Sequence, residues 1–310
     1  MVASAHPPEA LWTLLQACAA LLRTAAPPAA VALRAGAAVN ADAGDADAVA
    51  VLAPDGAAWA PAAGLAPQAR EFLSLYLPIC APRAGGALTL GHLGQSLDGC
   101  VATASGDSCF VNDRANIEHL HRLRALCDAV VVGGATARED DPRLTTRLVP
   151  GPNPLRVAID PRLELGPDLR MFTDGAAPTL VVCVCGARRR PGRAVDLLEV
   201  AADTHGHPDL VAVLAGLHAR GCHRVLVEGG GVTVSRFLAA GLLDRLHIAV
   251  APLLIGAGRA GLQVPARGAL RDCLRPSHRV FRMGQDLLYD CDLRAAAVAP
   301  ASPPDAPRLV

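Results

Sequence analysis

The amino-acid sequence predicts an α/β protein: a mostly parallel sheet flanked by helices, with a small N-terminal extension. Three observations carry this. Short runs of almost wholly apolar residues recur after position 86, as expected of strands covered on both faces. Segments with a helical apolar period lie between them. Glycines punctuate the joins, and strands alternating with helices imply a parallel arrangement.

The N-terminal residues 1–85 are rich in Ala and Pro and lack that alternation. They contain one predicted helix, Leu11 to Arg23, and an apolar-aromatic cluster, Phe72 to Leu77, so this extension is expected to be partly helical. After Pro82-Arg83-Ala84-Gly85-Gly86 the texture changes. A catalytic domain is expected over 86–294, with strands at Ala87 to Leu93, Ala129 to Val132, Leu155 to Ile159, Thr179 to Val184, Val225 to Val227 and Leu246 to Val250. Asn112 or Asp113 can cap a helix reaching Leu126, where Glu118 and Arg122 form an i,i+4 pair. Asp209 to Arg220 places Leu210, Val213, Leu214 and Leu217 on one helix face, with Gly221 beyond the end. Residues 295–310, Ala and Pro with few large apolar residues, are expected to be a disordered tail.

Composition removes several function classes. The chain of 310 residues is 52% apolar, enough to bury a sizeable core. Lys+Arg and Asp+Glu both number 29, so no uniform field draws nucleic acid or anionic lipid, and neither is expected as a partner. The longest uncharged stretches, such as Leu246 to Gly258, are too short for a membrane span. The apolar run Leu11 to Leu22 follows Pro7, Pro8 and Glu9 rather than a cationic segment, which argues against a signal peptide and for a cytoplasmic location. Ten cysteines lack the paired spacing of a zinc site and read as reduced core residues, Cys183 and Cys185 included. No metal is expected: His119 and His121, or His205, His207 and Asp209, lack a completing ligand set.

Two turns carry the chemistry. Val130-Val131-Val132 runs into Gly133-Gly134-Ala135-Thr136, and Val225-Leu226-Val227 into Glu228-Gly229-Gly230-Gly231. Strand, glycine, helix lets backbone approach a phosphate while the open amides and dipole of a helix start attract anions. Thr233 and Ser235 add hydroxyls nearby. Neither turn is a full GxGxxG, and tight packing of helix on strand explains the glycines equally well. Glu228, at the carboxyl end of an apolar strand, stands where open α/β sheets place their ligand crevice; capping of its own turn is the alternative. Asp98 in Ser-Leu-Asp-Gly and Asp141 before Pro142 have turn composition, so structural duty is at least as good a reading for them as catalysis.

Several blocks in order resemble a known family: Gln95 to Gly99, Ala104 to Ser108, His121 to Ala125, Gly133 to Thr136, Asp140 to Arg147, Leu155 to Asp160 and Val227 to Gly231. From Leu88 to Leu293 the chain resembles the reductase domain of bacterial bifunctional riboflavin-pathway proteins, the 5-amino-6-(5-phosphoribosylamino)uracil reductases. The resemblance implies a dihydrofolate reductase-like fold, NADPH as cofactor, reduction at C1′ of the ribosyl group, and a homodimer. It implies substrate contacts at Ser108, Arg124, Leu144, Arg147 and Glu228, the arginines suiting a phosphate. It implies cofactor contacts at Gly94, Phe110, Thr136, Asp140 and from Gly230 through Gly231, Val232, Thr233, Val234 and Ser235 to Arg236. Arg162, after the strand ending at Ile159, is a candidate for a 2′-phosphate, against the default of a solvated surface arginine. Glu228 and His92 are the candidate catalytic residues: Glu228 to orient sugar hydroxyls or support protonation, His92 to stabilise charge or relay a proton.

Two departures from the family pattern stand out. His92 occupies a position where the family commonly has lysine, and histidine holds a proton only conditionally. Residues 1–85 contain no His-x-Glu and Pro-Cys-x-x-Cys set of the zinc deaminase that bifunctional relatives carry. A reductase of the diaminopyrimidinone intermediate, or of a related specialised pathway, is therefore an alternative. A non-catalytic nucleotide-binding module is the alternative of another class, with His92 its main support.

Overall fold

The computed structural model describes residues 8–21, 29–34, 37–42, 44–52, 59–80, 86–108, 111–187 and 195–294. Phe110 and the stretch expected to be a tail lie outside them. The chain divides into two compact units, Met1–Leu88 and Thr89–Val310.

The first unit contains α1 (Pro8–Leu21), β1 (Ala30–Arg34), β2 (Ala37–Ala41), β3 (Ala48–Leu52), β4 (Trp59–Pro61) and α2 (Pro67–Cys80). Its strands form an antiparallel sheet in the order β2-β1-β3-β4. These strands are the main departure from the sequence expectation of a partly helical extension. Alanine dominates them, and alanine has weak β preference, so no local signal announces a sheet. The cluster at Phe72 to Leu77 lies within α2, where Ala69, Leu73, Leu77 and Tyr76 are buried. Trp12 of α1 meets Tyr76 edge-on at 6.0 Å between ring centroids.

The second unit is built on a nine-stranded sheet. Its elements are β5 (Leu88–Ser96), β6 (Cys100–Ala102), α3 (Arg114–Leu126), β7 (Ala129–Gly133), α4 (Gly134–Asp140), β8 (Leu155–Ile159), α5 (Arg170–Thr173), β9 (Thr179–Val184), β10 (Asp196–Val200), α6 (Leu210–His218), β11 (Arg224–Val227), α7 (Gly231–Ala239), β12 (Arg245–Ala251), β13 (Arg259–Ala260), β14 (Ser277–Met283) and β15 (Asp286–Asp292). The strand order is β10-β9-β8-β7-β11-β5-β12-β15-β14. Pairing is parallel from β10 through β11 and between β5 and β12. β15 and β14 enter antiparallel. The mostly parallel α/β class is as the sequence predicts.

Local chemistry explains the elements. Val130, Val131 and Val132 of β7 and Val225, Leu226 and Val227 of β11 are all buried, so both faces of the central strands are covered. Asp113 caps α3 by accepting the N–H of Ala115, and Asp209 caps α6 by accepting those of Val211 and Ala212. Gly221 takes the left-handed φ of 80° that ends α6. β10, β14 and β15 were not foreseen, because their many charged residues mask a strand period. In β15, Asp290 is buried and takes a two-toothed ion pair from Arg245 of β12.

The two turn aspartates do structural work. Asp98 accepts the Ser96 hydroxyl and the N–H groups of Ile255 and Gly256, and these bonds lower its carboxyl to about 2. Asp141 accepts the backbone N–H and Nε of Arg170. Two described cysteines correct the all-core expectation: Cys183 is buried, but Cys185, just past the end of β9, is exposed and Cys273 is only half-buried.

Candidate active site

The two glycine turns lie side by side. β7 and β11 are paired with Val131 opposite Val227, so Gly133 and the Glu228-Gly229-Gly230 turn leave the sheet at the same edge. Gly229 has φ 107°, which only glycine adopts comfortably. The Gly230 N–H donates to Thr136 Oγ1 at 3.0 Å, which ties the second turn to the helix of the first. No side chain caps α7 at Gly230, so amides of its first turn are available to an anion. A Cβ on Gly231 would fall on the carbonyl of Gly261. Close packing thus accounts for Gly231 against Gly261 and for Gly229 and Gly230 against Thr136, and the amides of the first turn of α7 are what remains for an anion.

These turns open a cavity of about 670 Å³. It lies at the carboxyl ends of β7, β8 and β11, where an open sheet places its ligand. Glu228 and Arg124 stand on its wall, both buried, joined by Arg124 Nε to Glu228 Oε1 at 2.8 Å and Nη2 to Oε2 at 2.7 Å. Arg124 Nη1 also donates to the Thr145 carbonyl. The pair is thus internally compensated, with Arg124 donating to both oxygens of Glu228. Beyond Arg124 opens a recess of about 360 Å³ lined by Arg143, Arg147 and Arg170, with Asp140 and Leu144 at the junction. Arg170 is held by Asp141. Desolvation and the neighbouring charges of Arg124, Arg143 and Arg170 lower the basicity of Arg147, a mark of crowded cations that an anion would relieve. Burial and the charge of Glu139 raise Asp140.

The opposite wall is neutral. His92 on β5 is buried, and its Nε2 donates to Asn116 Oδ1 on α3 at 3.3 Å. Burial, then the neighbouring His247, push its pKa down to about 3, so at neutral pH it carries no charge. This corrects the expectation of charge stabilisation by His92. Behind it an in-register ladder crosses four strands: His92 of β5 faces His247 of β12, His247 faces Asp290 of β15, and Asp290 faces Arg279 of β14. His247 Nε2 lies 3.2 Å from Asp290 Oδ1 and its Nδ1 lies 3.1 Å from Nε2 of His119 on α3. Burial raises Asp290, but the hydrogen bond and charge of His247 together with Arg245 outweigh it and hold the carboxyl far below the carboxylate range. A second buried carboxylate, Asp286, accepts the Asn112 side-chain amide and the Asp113 N–H, each at 2.9 Å. It thereby fixes Asn112 against Gly94, where a Cβ would strike the Asn112 amide.

Of the residues expected at the site, His92, Gly94, Ser108, Thr136, Asp140, Leu144, Gly230, Gly231, Val232, Thr233 and Arg236 line the cavity with Arg124 and Glu228, while Arg147 lines the adjoining recess. Phe110 lies outside the described residues. Val234 and Ser235 do not reach the cavity: Val234 packs into the core, and Ser235 Oγ accepts the Gln263 N–H at 2.7 Å. A helix turns every 3.6 residues, so part of any continuous run must face inward. Arg162 is exposed and not on the wall. His119 is bonded to His247, and His121 Nδ1 accepts the Arg147 N–H. Asn112 and Asn116 line the cavity without having been singled out; both are anchored through side-chain bonds, Asn112 to strand partners far along the chain, and neither belongs to a recognisable motif.

A mostly parallel sheet whose glycine turns open a cavity at its carboxyl edge defines a small-molecule-binding protein of the open-sheet α/β class. The chain belongs to the RibD C-terminal domain family, whose model matches residues 91–276. It is 32% identical over 202 residues to the 2,5-diamino-6-ribosylamino-4(3H)-pyrimidinone 5′-phosphate reductase of Methanothermobacter thermautotrophicus, covering 63% of this chain and 93% of that one. It is 34% identical over 162 residues to the riboflavin biosynthesis protein RibD of Synechocystis, covering 52% of this chain and 44% of that protein. Among solved structures, the deaminase/5-amino-6-(5-phosphoribosylamino)uracil reductase of Thermotoga maritima superposes with a TM-score of 0.57 at 25% identity, over 73% of this chain and 60% of that one. The riboflavin biosynthesis reductase of Saccharomyces cerevisiae shares the fold, with a TM-score of 0.58 at 19% identity, over 73% of this chain and 98% of that one.

Proposed function

We propose that the chain is an NADPH-dependent reductase of a phosphoribosylaminopyrimidine. One observation carries the reading: a glycine-lined cavity at the strand ends runs into an arginine-lined recess, with Arg124–Glu228 at the junction. The first amides of α7 suit a pyrophosphate, and Thr136 steadies the turn before them by accepting the Gly230 N–H. A bound reduced nicotinamide supplies a hydride; the protein holds the acceptor carbon near it and keeps water out. Arg147 and Arg143 take the substrate phosphate in the recess, and the two hydrogen bonds from Arg124 hold the Glu228 carboxylate in place toward the sugar. His92 acts as a neutral hydrogen-bonding group. Preference for NADPH over NADH rests on the family resemblance; Arg236, held by Asp203, stands on the cavity wall with Arg138 and Arg259, whereas Arg162 does not. Ser108 and Leu144 complete the substrate wall.

Both the uracil and the diaminopyrimidinone compounds are substrates to test, since the relatives carry names of both kinds. Purified protein should oxidise NADPH only when one of them is present, and NADH more slowly. Cofactor binding without consumption on either compound would leave a nucleotide-binding module instead. We also propose a cytoplasmic homodimer. No helix among the described residues is long and apolar enough to cross a membrane. The sheet ends at β14, which exposes Val280 at 46%, and an unpaired edge of this kind invites a second copy. Light scattering on the full chain tests it, with a monomer as the contrary result.

A further inference from the structure

The neutral wall has an unused donor. Asn116 is only 4% exposed, lines the cavity, and spends its Oδ1 on His92. Its Nδ2 makes no hydrogen bond among the described residues and is not sealed from the cavity, so it is free to donate to a ligand. His92, with Nε2 committed as donor, keeps Nδ1 as an acceptor. The wall therefore offers one donor and one acceptor and no charge.

An edge of that kind matches an amide-like group, a carbonyl beside an N–H. Position selects which one. Asn116 and Arg124 lie eight residues apart on α3, roughly 12 Å along the helix, and Arg124 borders the arginine recess. A phosphate in that recess leaves the far end of a phosphoribosylaminopyrimidine, its ring, at Asn116. We propose that Asn116 and His92 read the lactam edge of the pyrimidine ring: Asn116 Nδ2 donates to the ring carbonyl, and His92 Nδ1 accepts the ring N–H. The inference rests on the substrate class proposed above. It assigns ring recognition to α3 and β5, leaving the phosphate to the recess and the sugar to Glu228.

The test uses the full chain and reads binding as well as turnover. Asn116→Ala should weaken calorimetric binding of 5-amino-6-(5-phosphoribosylamino)uracil about tenfold and raise KM to match, as expected for one lost hydrogen bond. Affinity for ribose 5-phosphate, which lacks the ring, and for NADPH should stay unchanged, and this also shows that the variant folds. Asn116→Asp, which keeps the shape and loses the donor, should bind the pyrimidine at least as weakly. Unchanged pyrimidine binding in both variants overturns the assignment. A loss confined to NADPH overturns it too, by giving Asn116 to the nicotinamide amide, and so does an equal loss with ribose 5-phosphate. If the native chain binds the pyrimidine compound but never turns it over, the reductase reading fails while the binding comparison still decides this one. If it does not bind at all, both fall.

Discussion

The two walls of the cavity solve the same problem in opposite ways. Both must hold polar side chains away from water. On one, Arg124 and Glu228 stay charged and cancel one another through two short bonds. On the other, His92 is stripped of its charge by burial and paired with an amide. The difference teaches where each wall is vulnerable. A compensated buried ion pair does not tolerate the loss of a partner. A neutral histidine tolerates small changes of partner but not acid.

The largest expected effect comes from breaking the charged wall. Arg124→Ala leaves Glu228 buried and alone, and should cost about 3–5 kcal/mol in urea denaturation. The double variant Arg124→Ala with Glu228→Ala should recover part of that loss. A double-variant cycle showing strict additivity would mean that the pair is not coupled.

Acid should break the neutral wall next. Burial lowers both His92, to about 3, and His119, whose neighbours His247 and His92 add to the effect. A folded pKa below the unfolded value of about 6.5 means that the unfolded chain takes up protons first, so these residues cost no stability above pH 6.5 and an increasing amount below it. Each should lower stability by about 1.4 kcal/mol per pH unit as pH falls from 6.5 toward the folded pKa. Denaturation curves at pH 7, 6 and 5 (~1 unit apart) measure the slope; His92→Phe should reduce it, and an unaltered slope would contradict the assignment of that proton to His92.

The support behind the neutral wall comes third. Asp286→Ala removes the acceptor for Asn112 and Asp113 and should cost about 1–3 kcal/mol. Because Asn112 packs on Gly94, a cofactor position in the proposed reading, the loss should also weaken NADPH binding, and unchanged NADPH affinity would uncouple Asp286 from the site. The smallest structural effect should follow Arg147→Ala in the exposed recess, within about 0.5 kcal/mol of the native protein. Its consequence should be a raised KM for the phosphorylated substrate, and a KM no different from the native value would remove Arg147 from the phosphate site.

These contrasts also sort what was legible. The charged wall was visible as residues, since Glu228 follows an apolar strand into glycines and Arg124 sits in a recognisable block, but not as a pair: 104 positions separate them. Of the run from Gly230 to Arg236, Gly230, Gly231, Val232, Thr233 and Arg236 line the cavity, while Val234 and Ser235 face the core and Gln263. Asn112, Asn116, Asp286 and Asp290 gave no signal, since an isolated Asn or Asp reads as a surface or turn residue until its buried partner is known.

By itself the sequence determined the alternation of apolar strands and capped helices, and so the mostly parallel sheet with glycine turns opening at its carboxyl edge. These depend on hydrophobic period, capping and backbone freedom, all local properties. The antiparallel sheet of the first unit, the C-terminal hairpin, the mutual neutralisation of Arg124 and Glu228, and the uncharged state of His92 were decided only by tertiary structure. They depend on desolvation and on partners contributed by distant strands, and neither exists until the chain has folded.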